Sequence, residues 1–198
     1  LADKLLNFRK IHTITTKDHS HIICCPFCKD DFSKKENGYH CSTHGLFDMD
    51  QSKRPILIEE NIYKNNTDKH ESGVNWLKSF LKQFPKVYYS IWHLFCPVMM
   101  LINGPRMVIP LVKKDATILD IGSGPERLGK EFINVDVFPF PEVDIVSDAT
   151  HLPFRDSSID AAVSESLFEH VPDAHLVARE MVRVVKPGGY VYVSAPFI

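Results

Sequence analysis

The chain has 198 residues, 44% of them apolar and 24% charged, with a formal net charge of −2. That composition excludes a disordered or collagen-like chain and leaves room for one large domain, or for a domain with a smaller module. The charge is uneven: residues 1–63 carry nine Lys/Arg and nine Asp/Glu, residues 64–114 carry eight against two, and residues 115–198 carry six against fourteen. Only the middle segment invites an anionic partner.

Residues 1–63 are expected to form a small module of short strand-like pieces ending in the run "PILI" at 55–58. No basic-then-apolar leader with a small-residue cleavage site opens it. Four of the five cysteines crowd between positions 24 and 41, which suits a metal site better than a disulfide framework and points to a reducing, cytoplasmic setting. The pieces "CPFC" and "CSTH" place Cys25, Cys28, Cys41 and His44 in the spacing C-x2-C-x12-C-x2-H. Two short knuckles of this kind carry four ligands to the corners of a tetrahedron, as a closed structural zinc site requires. Cys24 and His40 adjoin these positions as alternative ligands, although Pro26 favours Cys25. The competing reading is a group of reduced cysteines on hairpin strands, without metal.

Residues 64–114 are expected to be a linker and a helical cap. The polar stretch "NNTDKHESG" at 65–73 reads as the linker. Val74, Leu77, Phe80, Leu81 and Phe84 then recur at helical spacing until Pro85. An aromatic, apolar stretch follows over 87–102, interrupted by His93 and Pro97. It falls well short of the roughly 20 residues a bilayer span needs, so no transmembrane helix is expected. Lys78, Lys82 and Lys86 would share a helix face near Trp76, Tyr88, Tyr89 and Trp92. Such a basic aromatic segment, 74–102, suits RNA or an anionic membrane surface. The favoured reading is a cap packed over a pocket, with its lysines solvated.

From residue 115 the pattern changes to short apolar strands separated by turns, near 117–121, 132–137, 143–147, 159–164 and 189–195. Over 173–185, Ala174, Val177, Ala178, Met181, Val182 and Val185 share one helical face, with Asp173 placed to cap it and "KPGG" to end it. The fold class expected is α/β: a Rossmann-like, mostly parallel sheet with flanking helices. In such a sheet, ligands bind beyond the carboxyl ends of the strands. The "DIGSG" turn at 120–124 would sit there, its glycines letting backbone amides approach a ligand. A dinucleotide site would want a third glycine and an acid about 20 residues on. Instead Arg127 stands at the third glycine position, and Asp136 comes fourteen residues after Gly122. Asp136 can still accept from both hydroxyls of a ribose, since a carboxylate is a two-oxygen acceptor. Only seven residues, 125–131, are left for the crossover, two helical turns at most.

The four motifs "LDIGSG", "DATHLPFRDSSIDAAVS", "FEHV" and "VKPGGYVYVSAPF", in this order, resemble the class I S-adenosylmethionine-dependent methyltransferases of the type 11 group. The resemblance implies that Asp120, Gly122, Ser123 and Gly124 hold the methionine part of the cofactor and that Asp136 holds the ribose. It places Asp148 and Ala149 beside the adenine, with Leu152 as an apolar wall, and Glu165 and Ser166 near the transferable methyl. Glu126 stands where the family usually has its third glycine. A complete fold of this class has seven strands, so the domain at 115–198 is expected to lack its last strands. Because methyl transfer rests on orientation more than on an obligatory side chain, Glu165 and His170 are only weak candidates for a catalytic base. The stretch "CPFCKDDFSKKENGYHCSTHGLFDMD" resembles the N-terminal zinc ribbon of bacterial ribosomal RNA guanine-N1 methyltransferases, with the final Cys-to-His spacing one residue shorter.

The function expected is methyl transfer from S-adenosylmethionine to an unidentified acceptor, with structural zinc in the ribbon. Two rivals remain: a ribosomal RNA guanine methyltransferase that touches RNA through the ribbon, and a non-catalytic, methyltransferase-like binding protein. The ribbon's Lys29, Lys34 and Lys35 are balanced by Asp30, Asp31 and Glu36, which does not favour RNA.

Overall fold

The computed structural model describes residues 18–71 and 104–195, with the backbone alone for 66–71. The expected cap pattern over 74–102, its three lysines and Cys96 lie outside the described residues. A three-stranded antiparallel sheet is formed by β1 (Ser33–Lys35), β2 (Gly38–Cys41) and β3 (Gly45–Asp48). A six-stranded sheet has the order β4-β7-β6-β5-β8-β9, with every neighbouring pair parallel. Its strands are β4 (Ile56–Leu57), β5 (Ile118–Ile121), β6 (Phe132–Asp136), β7 (Ile145–Ser147), β8 (Ile159–Glu165) and β9 (Val185–Ser194). Strand order runs outward from β5 in one direction and from β8 in the other. The crevice where a ligand binds such a sheet therefore lies between these two strands, at their carboxyl ends.

The runs "ILDI", "FINVD" and "IVS" are buried at every position, as strands covered on both faces are. Between β5 and β6 the expected helical stub does not form, and the chain passes through turns and bends. Parallel strands normally need a crossover of a dozen or more residues, and this one is too short to pack a helix on the sheet. Arg127 fastens it instead. Its guanidinium donates to the carbonyls of Phe132 (2.8 Å) and Glu142 (2.8 Å) and to the carboxylate of Asp144 (2.8 Å), and it also meets Glu142 Oε2 at 3.2 Å.

Helix α1 (Glu60–Glu71) covers most of the stretch read as a linker. Its polarity hid the helix because the local charge pattern, and not an apolar stripe, marks it. An acidic residue at its start and the Glu60–Lys64 pair one turn apart favour it locally. Helix α2 (Ala174–Val184) starts as expected, the Asp173 carboxylate accepting from the amides of His175 (2.9 Å) and Leu176 (3.1 Å). Val177, Met181 and Val184 are buried, whereas Val182 is exposed.

The N-terminal pieces do not stand apart from the large sheet. Strand β4 is its edge strand beside β7, and a single apolar cluster joins Ile22, Ile23, Tyr39 and Phe47 to Leu119, Ile121, Leu152, Phe154 and Met181. Ile23 bridges Phe154 in antiparallel fashion, the Cys24 amide donates to Pro153 O (3.0 Å), and the Arg155 amide to Ile22 O (2.9 Å). Arg54, 8% exposed, pairs with Asp50 through Nε (2.6 Å) and donates to the carbonyls of Phe140 and Val143. The opposite sheet face buries Ile118, Phe132, Ala161 and Val163 together with Val108 of the 3-10 helix Gly104–Leu111.

Candidate functional site

The turns at 25–28 and 41–44 bring Cys25, Cys28, Cys41 and His44 together, all four ligand atoms lying within 4.8 Å of one another. Cys25 Sγ is 3.5 Å from His44 Nδ1, Cys28 Sγ is 3.4 Å from Cys41 Sγ, and Cys41 Sγ is 3.7 Å from His44 Nδ1. A zinc tetrahedron with Zn–S arms of about 2.3 Å and a Zn–N arm of about 2.0 Å has edges of roughly 3.5–3.8 Å, so the donor set fits such an ion closely. Burial acts to raise the Cys41 thiol. Hydrogen bonds from the amide and ring of His44, the Thr43 amide and Cys28 outweigh it and bring the thiol down to about 6. Cys24 lies outside the cluster, its thiol pushed up to about 11 by burial. His40 lies on β2 opposite Leu46 and is also outside it.

A second site opens at the carboxyl ends of the large sheet. A cavity of about 350 Å³ is lined by Gly122 after β5, Asp136 at the end of β6, Asp148 and Ala149 after β7, and Leu167 and His170 after β8. Gly122 adopts φ +73°, and a Cβ there would stand 2.9 Å from the Leu167 side chain, so both the turn and the packing demand glycine. The Asp136 carboxylate ties the turn to its own strand: Oδ2 accepts from the Gly124 amide (2.8 Å) and Oδ1 from the Phe138 amide (2.8 Å). Burial pushes its carboxyl above the ordinary value, against those amides and that of Val137. Asp120, 4% exposed, stands one strand away. Its own burial, then the charges of Glu165 and Asp136, push it up to about 7, against the pull of Arg127.

Other expected site residues are placed as follows. Ser123 and Gly124 form the turn without lining the cavity, and the Ser123 hydroxyl is buried with no partner among the described residues. Asp148 caps the short 3-10 helix Ala149–His151, its Oδ1 accepting from the amide and hydroxyl of Thr150, both at 2.8 Å. Leu152, expected as a wall of the pocket, is fully buried in the shared core, because its side chain packs under the N-terminal pieces. Glu165 ends β8, and Ser166 follows it with φ +55°. His170 projects into solvent with its ring 3.9 Å from Glu169, its side chain 74% exposed.

Tyr192 of β9 was not singled out from sequence. A Cβ placed on Gly104 would meet its hydroxyl at 2.8 Å and Glu165 Oε1 at 3.4 Å. The two polar groups thus converge beside the start of the 3-10 helix. Only the parallel register of β8 and β9, Val163 opposite Tyr192, brings them together, and no local motif signals it.

The comparisons with known proteins fall on the same strands. A family model described as a methyltransferase domain matches residues 119–193. A protein of Mycobacterium sp. (strain JLS) named as an uncharacterized methyltransferase is 36% identical over 95 residues, which is 39% of this chain and 38% of that protein. One of Mycobacterium tuberculosis (strain H37Rv), named likewise, is 33% identical over 97 residues, again 39% of this chain and 38% of the relative. The chain therefore spans well under half the length of the curated relatives it matches. Among solved structures, an S-adenosylmethionine-dependent methyltransferase of Thermotoga maritima overlaps 54% of this chain and 56% of its own at 24% identity, with a TM-score of 0.42.

Proposed function

We propose, from the match of residues 119–193 to the model of a methyltransferase domain, that the protein transfers a methyl group from S-adenosylmethionine to an acceptor held at the mouth of the cavity of about 350 Å³. The observation that carries this reading is electrostatic. Asp120, Asp136 and Glu165 stand at or near the carboxyl ends of three adjacent strands, and after its own burial the charges of Glu165 and Asp136 raise the cost of ionising Asp120. The glycine turn before them opens no helix. A pyrophosphate would find like charge here, and no helix amino terminus to receive it. A nucleoside that carries cationic groups finds the opposite charge.

S-adenosylmethionine, when bound, supplies a methyl activated on a cationic sulfur beside a ribose and an adenine. A carboxylate offers about four lone-pair sites, so Asp136 keeps acceptor capacity beyond its amide bonds from Gly124, Phe138 and Val137 and would accept from the ribose. Asp148 and Ala149 flank the adenine side, while Asp120 offsets the positive charge of the amino-acid end. Glu165, where Tyr192 converges on it, faces the acceptor and is placed to hold a proton released there. The cavity is of nucleoside size, near the low end for small-molecule sites. Cys25, Cys28, Cys41 and His44 would hold zinc with no open position, which makes that metal structural.

A ribosomal RNA acceptor reached through the N-terminal pieces finds less support. Lys29 turns inward to Glu180 (3.0 Å) and Lys34 pairs with Asp18 (3.0 Å), so two of the three ribbon lysines are already engaged.

Calorimetry with S-adenosylhomocysteine tests the reading. The wild type is expected to bind, and Asp136→Asn to bind about tenfold or more weakly, as loss of a charged hydrogen bond implies. Equal affinity for the two proteins would remove Asp136 from the site.

A further inference from the structure

A chain of contacts runs from the Cys/His cluster to the cavity. Phe27 lies between the cluster cysteines Cys25 and Cys28, its ring centroid 5.3 Å from that of His44 and 5.9 Å from that of His151. His151 Nδ1 meets Thr150 Oγ1 at 2.9 Å, and that hydroxyl donates to Asp148 Oδ1 at 2.8 Å. Asp148 lines the cavity. The same knuckle holds the far side of the loop: Lys29 Nζ donates to Pro26 O (2.8 Å) and Leu152 O (3.2 Å), and the Cys24 amide donates to Pro153 O (3.0 Å). Lys29 adopts φ +63°, a backbone state that non-glycine residues take only when their surroundings impose it.

We propose that the metal-bearing knuckle is the buttress of the loop 148–154, that Phe27 is its positioning residue, and that metal occupancy and binding of the adenosine group are thermodynamically linked through it. The inference rests on the adenosine assignment of the cavity made above. Phe27 rides on a knuckle of turns, and its ring also stacks on Phe47 at 6.2 Å against the shared core. Four ligands gathered on one ion would fix that knuckle, and with it the ring that backs His151. The loop then meets the ligand already shaped, and the ordering cost is not met at binding. Linkage makes the effect reciprocal: whatever factor the metal adds to nucleoside affinity, the nucleoside adds to metal affinity.

The experiment uses the full chain loaded with zinc, as wild type, Phe27→Ala and His151→Ala. Metal analysis, calorimetry with S-adenosylhomocysteine and hydrogen exchange are read on each. Both variants should keep about one equivalent of metal, bind S-adenosylhomocysteine about fivefold or more weakly, and exchange faster at 148–151 with 118–124 unchanged. In the wild type, saturating S-adenosylhomocysteine should slow release of zinc to a chelator, and in Phe27→Ala this protection should shrink. Unchanged affinity and exchange overturn the proposal, as does exchange accelerated evenly along the chain, which marks a merely structural role. If the wild type gives no binding heat at all, the methyltransferase reading fails. The exchange arm then decides the coupling by itself: faster exchange at 148–151 on zinc removal supports it, and unaltered exchange there ends it.

Discussion

The Cys/His knuckle and the cavity at the strand ends are built on opposite principles. In the knuckle four donors converge within 4.8 Å, and the protein supplies every ligand a tetrahedral ion needs. Beside the cavity, burial and the charges of Glu165 and Asp136 lift Asp120 far from its ordinary value, against the pull of Arg127. On the proposed reading, one site is closed by the chain itself, and the other is completed by a cationic ligand. A closed site spends its interactions on stability, whereas an incomplete one stores a cost that binding relieves. The two are nevertheless parts of one core, so damage to the first should reach the second.

The strongest way to break this contrast is Cys41→Ser. If the knuckle is a structural metal site, the variant should lose its metal and about 4 kcal/mol or more of stability, read by metal analysis and urea unfolding. Full stability with no metal in either protein would dismiss the site. Arg54→Ala attacks the connection between the two regions. It removes a guanidinium that is almost wholly buried and leaves Asp50, its partner at 2.6 Å, without a counter-charge. A loss of about 3 kcal/mol is expected, and a loss under a third of that would mean the N-terminal pieces dock without it.

The carboxylates beside the cavity are read by pH. Asp120 titrates near 3.8 when unfolded and near 7 in the fold, so the folded state keeps the extra proton across that interval. Its contribution is complete below the lower value and is lost as pH rises through the upper one. Between pH 5.5 and 8.0 the ligand-free wild type should lose about 2 kcal/mol more than Asp120→Asn. Parallel urea-unfolding profiles for the two proteins would contradict the account. The smallest effect belongs to Lys34→Ala, whose pair with Asp18 is more than half exposed on both sides. It should cost under about 0.5 kcal/mol and leave metal content and S-adenosylhomocysteine binding unchanged. A clear loss of either would give the ribbon surface a role not assigned to it here.

Much of both sites was legible from spacing, for a physical reason. A knuckle of two ligands on a tight turn, or a glycine turn after an apolar strand, is a local arrangement whose geometry follows from few residues. Asp173 capping α2 belongs to the same class. The misreadings fall where local pattern and packing part. A helix over 60–71 hides in a polar stretch because the sequence there carries no apolar stripe at helical spacing. The crossover at 125–131 carries no helix because Arg127 fastens it through carbonyls and an acid that lie 5 to 17 positions away. Leu152 sits in the core and not in the pocket wall, because what covers it comes from more than a hundred residues earlier in the chain.

The sequence by itself determined the four Cys/His side chains that converge, the glycine turn with its acid on the next strand, and the parallel alternation that places them. Each of these is written within a few turns of chain. Only the tertiary structure decided that the N-terminal pieces add an edge strand to the main sheet, that Phe27 backs His151, and that Tyr192 and Glu165 converge beside Gly104. Those relations arise from strand order and a shared apolar core, and contacts between distant segments leave no periodicity in the chain that makes them.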